Sequence, residues 1–353
     1  MRATIMEVSI DNLKYNIESI RKYTGNVQMM PIIKANGYGT YINKRLDVVN
    51  LFDIVGVAIV DEAISLRKLG YEKEIFVLNQ PSIDEIDDII KYNITVGVCS
   101  ILFMEEVKKK GKVKIHLEID SGMGRTGIRE FELDNFMQNI NDNIIVEGIY
   151  THLSSADTDF EYTNKQLDIF KRCVTKVKEK YHLKYIHADA SNGIMNFKKD
   201  YYNLVRPGII LYGYGASNDT LDKIDLKPIC KLKSKVTYLK EVDKNTSISY
   251  SRKYITKNKT KIATIPIGYA DGLSRLLTNK GYVVINHKKY PIVGSVCMDN
   301  IMVDVGNDDI SIGDDVYIWD NDLIKVEDIA NIMHTINYEV MSIISDRVPR
   351  IFR

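Results

Sequence analysis

Residues 54–78, IVGVAIVDEAISLRKLGYEKEIFVL, hold one full repeat of the pattern that decides the fold. Ile54–Val60 is a short apolar run the size of a buried strand, Asp61–Leu69 reads as an amphipathic helix, and Glu74–Leu78 returns to strand. The alternation extends both ways. Upstream lie a helix over Ser9–Tyr23, with Leu13, Ile17 and Ile20 on one face, and a strand over Met29–Ile33. Downstream, strand-like runs at Thr95–Val98, Lys114–Asp120, Ile144–His152, Tyr185–Ala188 and Ile209–Tyr212 are mostly separated by helical segments such as Ser82–Tyr92 and Asn164–Lys180. Repeated strand–helix units imply a parallel sheet, and about eight of them point to a closed (β/α)₈ barrel. An open doubly wound sheet is the alternative that periodicity alone does not exclude.

After Tyr214 the texture changes. Ser234–Leu239, Lys261–Ile267, Gly281–Ile285, Tyr290–Val296, Ile301–Val305 and Asp315–Trp319 are β-like, separated by Gly, Asn and Asp, and helical signal is sparse until after Val326. The reading is a barrel over residues 1–220 and a mainly β domain over 221–353, with residues 1–9 free to join the β-domain as a strand.

The bulk properties narrow the function classes. Lys+Arg 48 against Asp+Glu 47 leaves a net charge of +1 in 353 residues, so no global field draws the chain to nucleic acid or an anionic membrane. The apolar runs are too short to span a bilayer, and Arg2 and Glu7 break up the N-terminus where a signal peptide would be apolar. Cys99, Cys173, Cys230 and Cys297 are widely spaced, which fits free thiols in a reducing, cytoplasmic setting. No spacing of His, Asp, Glu or Cys suggests a metal site.

In a barrel of this kind chemistry sits at the C-terminal ends of the strands. Lys34 follows Met29–Ile33 directly, behind apolar Pro31-Ile32-Ile33 and ahead of Gly37 and Gly39. A desolvated lysine loses its charge readily, as a Schiff-base amine must. His152 closes another strand, Ser191 and Asn192 follow a third, and Arg206-Pro207-Gly208-Ile209 leads into the last. His116 and His187, within strands, read as buried hydrogen-bonded residues.

The segment Ile33-Lys34-Ala35-Asn36-Gly37-Tyr38-Gly39 resembles the cofactor-binding signature of the alanine racemases, pyridoxal-phosphate enzymes built from a barrel and a β-domain. The likeness continues in order through Asp120-Ser121-Gly122-Met123-Gly124-Arg125, Tyr150-Thr151-His152, Arg206-Pro207-Gly208-Ile209, Ser249-Tyr250, Gly268-Tyr269-Ala270-Asp271-Gly272, Cys297-Met298-Asp299, Asn337-Tyr338-Glu339-Val340 and Arg347-Val348-Pro349-Arg350.

The resemblance implies a set of roles. Lys34 carries pyridoxal 5′-phosphate as an internal aldimine and serves as one base. Tyr38, Ser191, Gly208, Ile209 and Tyr338 hold the phosphate, His152 packs on the pyridine ring, and Arg125 meets the cofactor's phenolic oxygen or the substrate carboxylate. Tyr250, from the partner subunit of a homodimer, is the second base. Met298 contacts the substrate, with Tyr269, Asp299, Arg275, Asp157 and Glu118 in support. Arg206 faces the pyridine nitrogen. A guanidinium has no acceptor and stays charged, so it donates to an unprotonated ring nitrogen and keeps the ring a weaker electron sink. A decarboxylase of the same fold would place a carboxylate there. The implied activity is interconversion of L- and D-alanine, a source of D-alanine for cell wall. The alternatives are a serine or broad-spectrum racemase, which Tyr338 disfavours, and a non-catalytic pyridoxal-phosphate carrier, which the β-domain disfavours.

Four positions depart from the family pattern. Thr40 stands where histidine is usual, Ala190 where asparagine is, and Ser295 where arginine is common in the substrate corridor with the residue aligned to Arg275. Glu118 replaces a lysine that many members carry as a carbamate. Its strand alternates His116, Glu118 and Asp120 with Ile115, Leu117 and Ile119, so Glu118 points inward. It reads either as a permanent anion serving Arg125, directly or through a bridging water, or as an inward acid satisfied by His116 or another barrel residue.

Overall fold

The computed structural model describes residues 2–25, 27–197, 201–215 and 223–353. The strand Ile5–Val8 (β1) is followed by Gln28–Met29 (β2), Ile54–Val57 (β3), Glu74–Val77 (β4), Thr95–Val98 (β5), Val113–Ile119 (β6), Ile144–Thr151 (β7), Tyr185–His187 (β8) and Leu204–Val205 (β9). β3 to β8 form a parallel sheet in chain order, and β2 pairs in parallel with β9. The ends join: Ile33 N–H donates to Gly56 O (2.9 Å) on one side and Asn203 N–H to Ile186 O (3.2 Å) on the other. β2 to β9 therefore close into a barrel, and helices such as Val60–Leu69 and Phe160–Lys178 alternate with the strands.

One strand lies elsewhere than its pattern suggests. Ile209–Tyr212 is a buried 3₁₀ turn, and the last barrel strand is Leu204–Val205. Both are apolar runs of similar length, and only pairing with β2 singles out the second as strand. Arg206 thus follows the final strand rather than preceding it. Met29–Ile33 also shortens to β2, because Pro31 has no N–H for the ladder.

The barrel interior is filled by rings. Phe76 stacks on His116 with centroids 4.3 Å apart, and Tyr150 stacks on His187 at 5.1 Å. Two strand glycines make room. A Cβ on Gly97 would lie 2.2 Å from the Tyr150 hydroxyl, and one on Gly148 would lie 2.8 Å from the His116 ring.

The chain divides into two compact units, residues 14–37 with 42–227 and residues 1–13 with 38–41 and 228–353. The junction expected at 220/221 lies outside the described residues. The second unit contains Cys230–Lys235 (β10), Tyr238–Val242 (β11), Ser247–Ile248 (β12), Tyr254–Ile255 (β13), Thr260–Ile265 (β14), Tyr282–Ile285 (β15), Lys288–Pro291 (β16), Ile301–Gly306 (β17) and Asp315–Trp319 (β18), then two short helices and Arg350–Phe352 (β19). One sheet runs β16-β15-β18-β10-β1-β19, so the N-terminal strand sits between β10 and β19, and a second runs β11-β14-β17. The Ser234–Leu239 run straddles two strands that belong to different sheets, and Tyr290–Val296 is mostly loop.

Candidate active site

Lys34, in the barrel unit, directly precedes a short stretch of reversed hand. Ala35, Asn36, Gly37, Tyr38 and Gly39 have φ of 52°, 55°, 61°, 52° and 80°. Left-handed backbone costs roughly 1–2 kcal/mol for each residue with a Cβ, so something must hold it. Glu62 does part of this: its carboxylate accepts from Ala35 N–H (2.6 Å) and Ala58 N–H (2.8 Å), at the ends of adjacent strands. The Lys34 ammonium is pushed below its ordinary range by burial, by Arg125 and by Arg206, with Glu62 opposing.

Arg206 is fully buried. One Nη2 donates to Thr151 O (2.8 Å) and Ala188 O (2.9 Å) and reaches His152 Nδ1 at 3.4 Å, while Nη1 donates to His187 Nδ1 (2.7 Å). Because guanidinium only donates, His187 Nδ1 must accept, which places its proton on Nε2. That proton points at His116 Nδ1, 2.9 Å away, so His116 is also the Nε2–H tautomer. Burial and the Arg206 charge hold both histidines neutral, pushing His116 down to about 3 and His187 well below its ordinary value. Arg206 itself falls only to about 10 and stays charged at neutral pH. Its Nε–H and its second Nη1–H donate to no described residue, which leaves fixed donors for an acceptor that carries no proton.

His152 is likewise driven to about 3 by burial, Arg206, Arg125 and Lys34. Ser191 Oγ accepts from Gly208 N–H (3.1 Å), and Ile209 opens the 3₁₀ turn. Arg125 is exposed on a loop whose Gly122 and Gly124 N–H groups both donate to Asp120 Oδ1 at 3.0 Å. Asp157 lies in the loop after β7, half-buried.

Glu118 is buried and accepts from Thr126 Oγ1 (2.7 Å). No ion pair or direct hydrogen bond joins it to Arg125, and His116 turns to His187 instead. Burial raises the Glu118 carboxyl, against Thr126, Tyr150 and the Arg125 and Arg206 charges, which lower it.

In the β unit, Tyr38 and Tyr338 face each other with ring centroids 5.9 Å apart. Burial and the Tyr338 hydroxyl raise the Tyr38 phenol well above its usual value. Tyr250 is 70% exposed, on a short turn after β12. Tyr269 N–H donates to Cys297 O and Ala270 N–H to Met298 O, each at 3.0 Å, so the exposed Tyr269 and Met298 ride on paired backbones. Asp299 accepts from Arg347 (2.6 Å), and Arg275 is exposed in the 3₁₀ turn Arg275–Leu277.

With this geometry in place, comparison with known families is direct. Residues 8–216 match "Alanine racemase, N-terminal domain" and residues 229–352 match "Alanine racemase, C-terminal domain". The chain belongs to the alanine racemase family. It is 37% identical to alanine racemase 2 of Caldanaerobacter subterraneus subsp. tengcongensis, covering 100% of this chain and 95% of that one. It is 38% identical to the alanine racemase of Halothermothrix orenii, with coverage of 100% and 97%. The solved alanine racemase of Clostridium difficile 630 matches at TM-score 0.94 and 35% identity over 99% of this chain and 96% of that one. The Bartonella henselae enzyme, solved with covalently bound pyridoxal phosphate, matches at TM-score 0.89 and 27% identity over 100% of both chains.

Among the family's motifs, the barrel unit brings Lys34 and His152 within electrostatic reach of each other and of both Arg125 and Arg206. Tyr250, Tyr269, Arg275, Met298 and Asp299 belong to the β unit of this racemase-family chain. Sequence reasoning missed Glu62. In the first turn of Val60–Leu69 it looks like any acid at a helix start, and only the fold shows its carboxylate reaching back to the lysine turn.

Proposed function

We propose that this chain racemises alanine with pyridoxal 5′-phosphate held covalently by Lys34, and that it works as a homodimer in which Tyr250 of the partner subunit completes each site. Its product would serve as D-alanine for cell wall. The observation that carries this reading is Arg206, a buried and permanently charged donor backed by two neutral histidines. The Arg206 Nε–H suits a ring nitrogen with a lone pair, and the family membership supports the same cofactor.

Pyridoxal phosphate, when bound, supplies an electron-withdrawing ring that makes the substrate's α-proton acidic. Ser191, the backbone at Gly208 and Ile209, Tyr38 and Tyr338 would hold its phosphate, and His152 would pack on its ring. Arg206 holds its proton where an acid would surrender it, which limits side reactions. Lys34 Nζ, its basicity lowered by burial, takes or returns the α-proton on one face, and the Tyr250 hydroxyl does so on the other. Arg125 would meet the cofactor's phenolic oxygen, the substrate carboxylate, or both.

Borohydride treatment of the yellow holoprotein should attach the cofactor to the peptide containing Lys34, and L-alanine should yield D-alanine. Labelling of another lysine would remove the site assignment. Tyr338 should crowd a larger substrate, so serine should be slower by about 10–200-fold in kcat/KM, the range one extra group allows. Equal rates with serine would overturn the choice of alanine.

A further inference from the structure

The turn bearing Tyr250 has an unusual backbone. Ser249 has φ 65° and ψ −175°, a region that essentially only glycine occupies, and Ser251 and Arg252 are left-handed at φ 57° and 50°. Such residues persist only where their surroundings over-determine them. Here the surroundings are a second loop. Ser249 Oγ donates to Ser295 O (2.8 Å), and Ser295 Oγ donates back to Tyr250 O (3.3 Å). At the far end of the turn Asn279 Nδ2 donates to Lys253 O (3.0 Å), while Gly294 N–H donates to Asn279 Oδ1 (2.6 Å). The loops approach so closely that a Cβ on Gly294 would lie 2.6 Å from that of Ser249. Ser295 is buried, yet Tyr250 between these clamps is exposed. A strained turn, bonded at both ends and carrying an exposed phenol, serves presentation rather than packing.

We propose that Ser249 and Ser295 are positioning residues that lock the Tyr250 turn, so that the phenol is offered in one orientation before substrate arrives. The proposal rests on the reading of Tyr250 as the second base. Fixing a reacting group in advance removes orientational freedom from the barrier.

The sequence supplies a specific probe, because Tyr followed by Ser occurs only at 250–251. Protein labelled with carbonyl-¹³C tyrosine and ¹⁵N serine therefore shows a single Tyr250 carbonyl correlation. In Ser295→Ala and Ser249→Ala holoenzyme that carbonyl should move upfield or broaden. Turnover should drop about tenfold, the scale of one lost hydrogen bond. The α-deuterium isotope effect should rise only for the enantiomer whose proton Tyr250 removes, whereas a general defect would alter both enantiomers alike. Ser249→Gly relieves the strain while removing the hydroxyl, so it should fold well and still show the one-sided isotope effect.

An unmoved carbonyl, or a moved one with unaltered isotope effects, overturns the clamp while an inactive Tyr250→Phe protein leaves the base assignment standing. A fully active Tyr250→Phe protein removes the base assignment, and with it the catalytic meaning of the clamp.

Discussion

The barrel unit and the β unit hold the side chains proposed for the site by opposite means. Lys34 and Arg206 sit at strand ends of a repeating scaffold, and Arg206 is buried with carbonyl and imidazole partners on several sides. Tyr250 is exposed on a non-repeating turn held by two serines, an asparagine and a glycine. Burial gives the barrel its electrostatic leverage, since removing water is what moves the lysine and histidine equilibria. The β unit keeps its tyrosine in solvent and invests in backbone geometry instead. A group whose charge is shifted needs a low-dielectric wall, whereas an exposed group held in one orientation needs a rigid backbone.

The sharpest break in this comparison should come at Lys34. Lys34→Ala should lose on the order of 10³-fold or more in turnover. It should also lose covalent retention of the cofactor, read after borohydride treatment by mass spectrometry, with an unchanged circular dichroism spectrum. Tyr250→Phe should lose turnover by about 10²–10⁴-fold while keeping the cofactor bound. If the two regions act across subunits, mixing the inactive Lys34→Ala and Tyr250→Phe proteins under subunit exchange should restore activity. Proven exchange without recovery would place Tyr250 within the same subunit as Lys34, or outside the site.

A smaller effect distinguishes the units by pH. His116 and His152 are held near 3 and His187 well below its ordinary value, all in the barrel unit. The unfolded chain takes up protons from about 6.5 downward while the folded barrel does not, so stability falls as pH drops through the window from about 6.5 to about 3. The slope should approach about 1.4 kcal/mol per pH unit for each histidine. Urea unfolding across this window should show the loss, and a His116→Phe, His187→Phe double variant should flatten it. An equally steep slope in that variant would mean that the histidines are not the source.

Glu118 should give the smallest change and opposes that trend. Its carboxyl is raised by burial, so its ionisation costs stability as pH rises above its unfolded value. Glu118→Gln should therefore be no less stable at neutral pH. If the Glu118 charge serves Arg125 through a bridging water, kcat/KM should fall modestly and activity should not respond to bicarbonate. A normal kcat/KM would show that the charge is irrelevant to Arg125.

Much of this was legible in the residues. The strand–helix alternation marked the barrel, because one buried strand and one amphipathic helix per unit leave a periodic trace. Lys34, Arg206 and Tyr250 stood out because each lies in a motif of fixed local spacing. The last barrel strand was misplaced, since Leu204–Val205 and Ile209–Tyr212 are both short apolar runs and strand identity depends on a partner distant in the chain. Glu62 and Asn279 carried no signal, because an acid at a helix start and an asparagine in a turn are ordinary, and Ser295 stood out only as a missing arginine, not as a partner of the Tyr250 turn.

By itself, then, the sequence determined which chemistry-bearing residues exist and which scaffold repeats around them, since periodicity and short motifs are local properties of the chain. Tertiary structure alone decided the tautomers of His187 and His116, the grip of Glu62 on the lysine turn and the stapling of the Tyr250 turn. Each of these depends on hydrogen bonds between groups far apart in sequence, such as Arg206 with Thr151 and Ser249 with Ser295, whose direction is set only when the backbones meet.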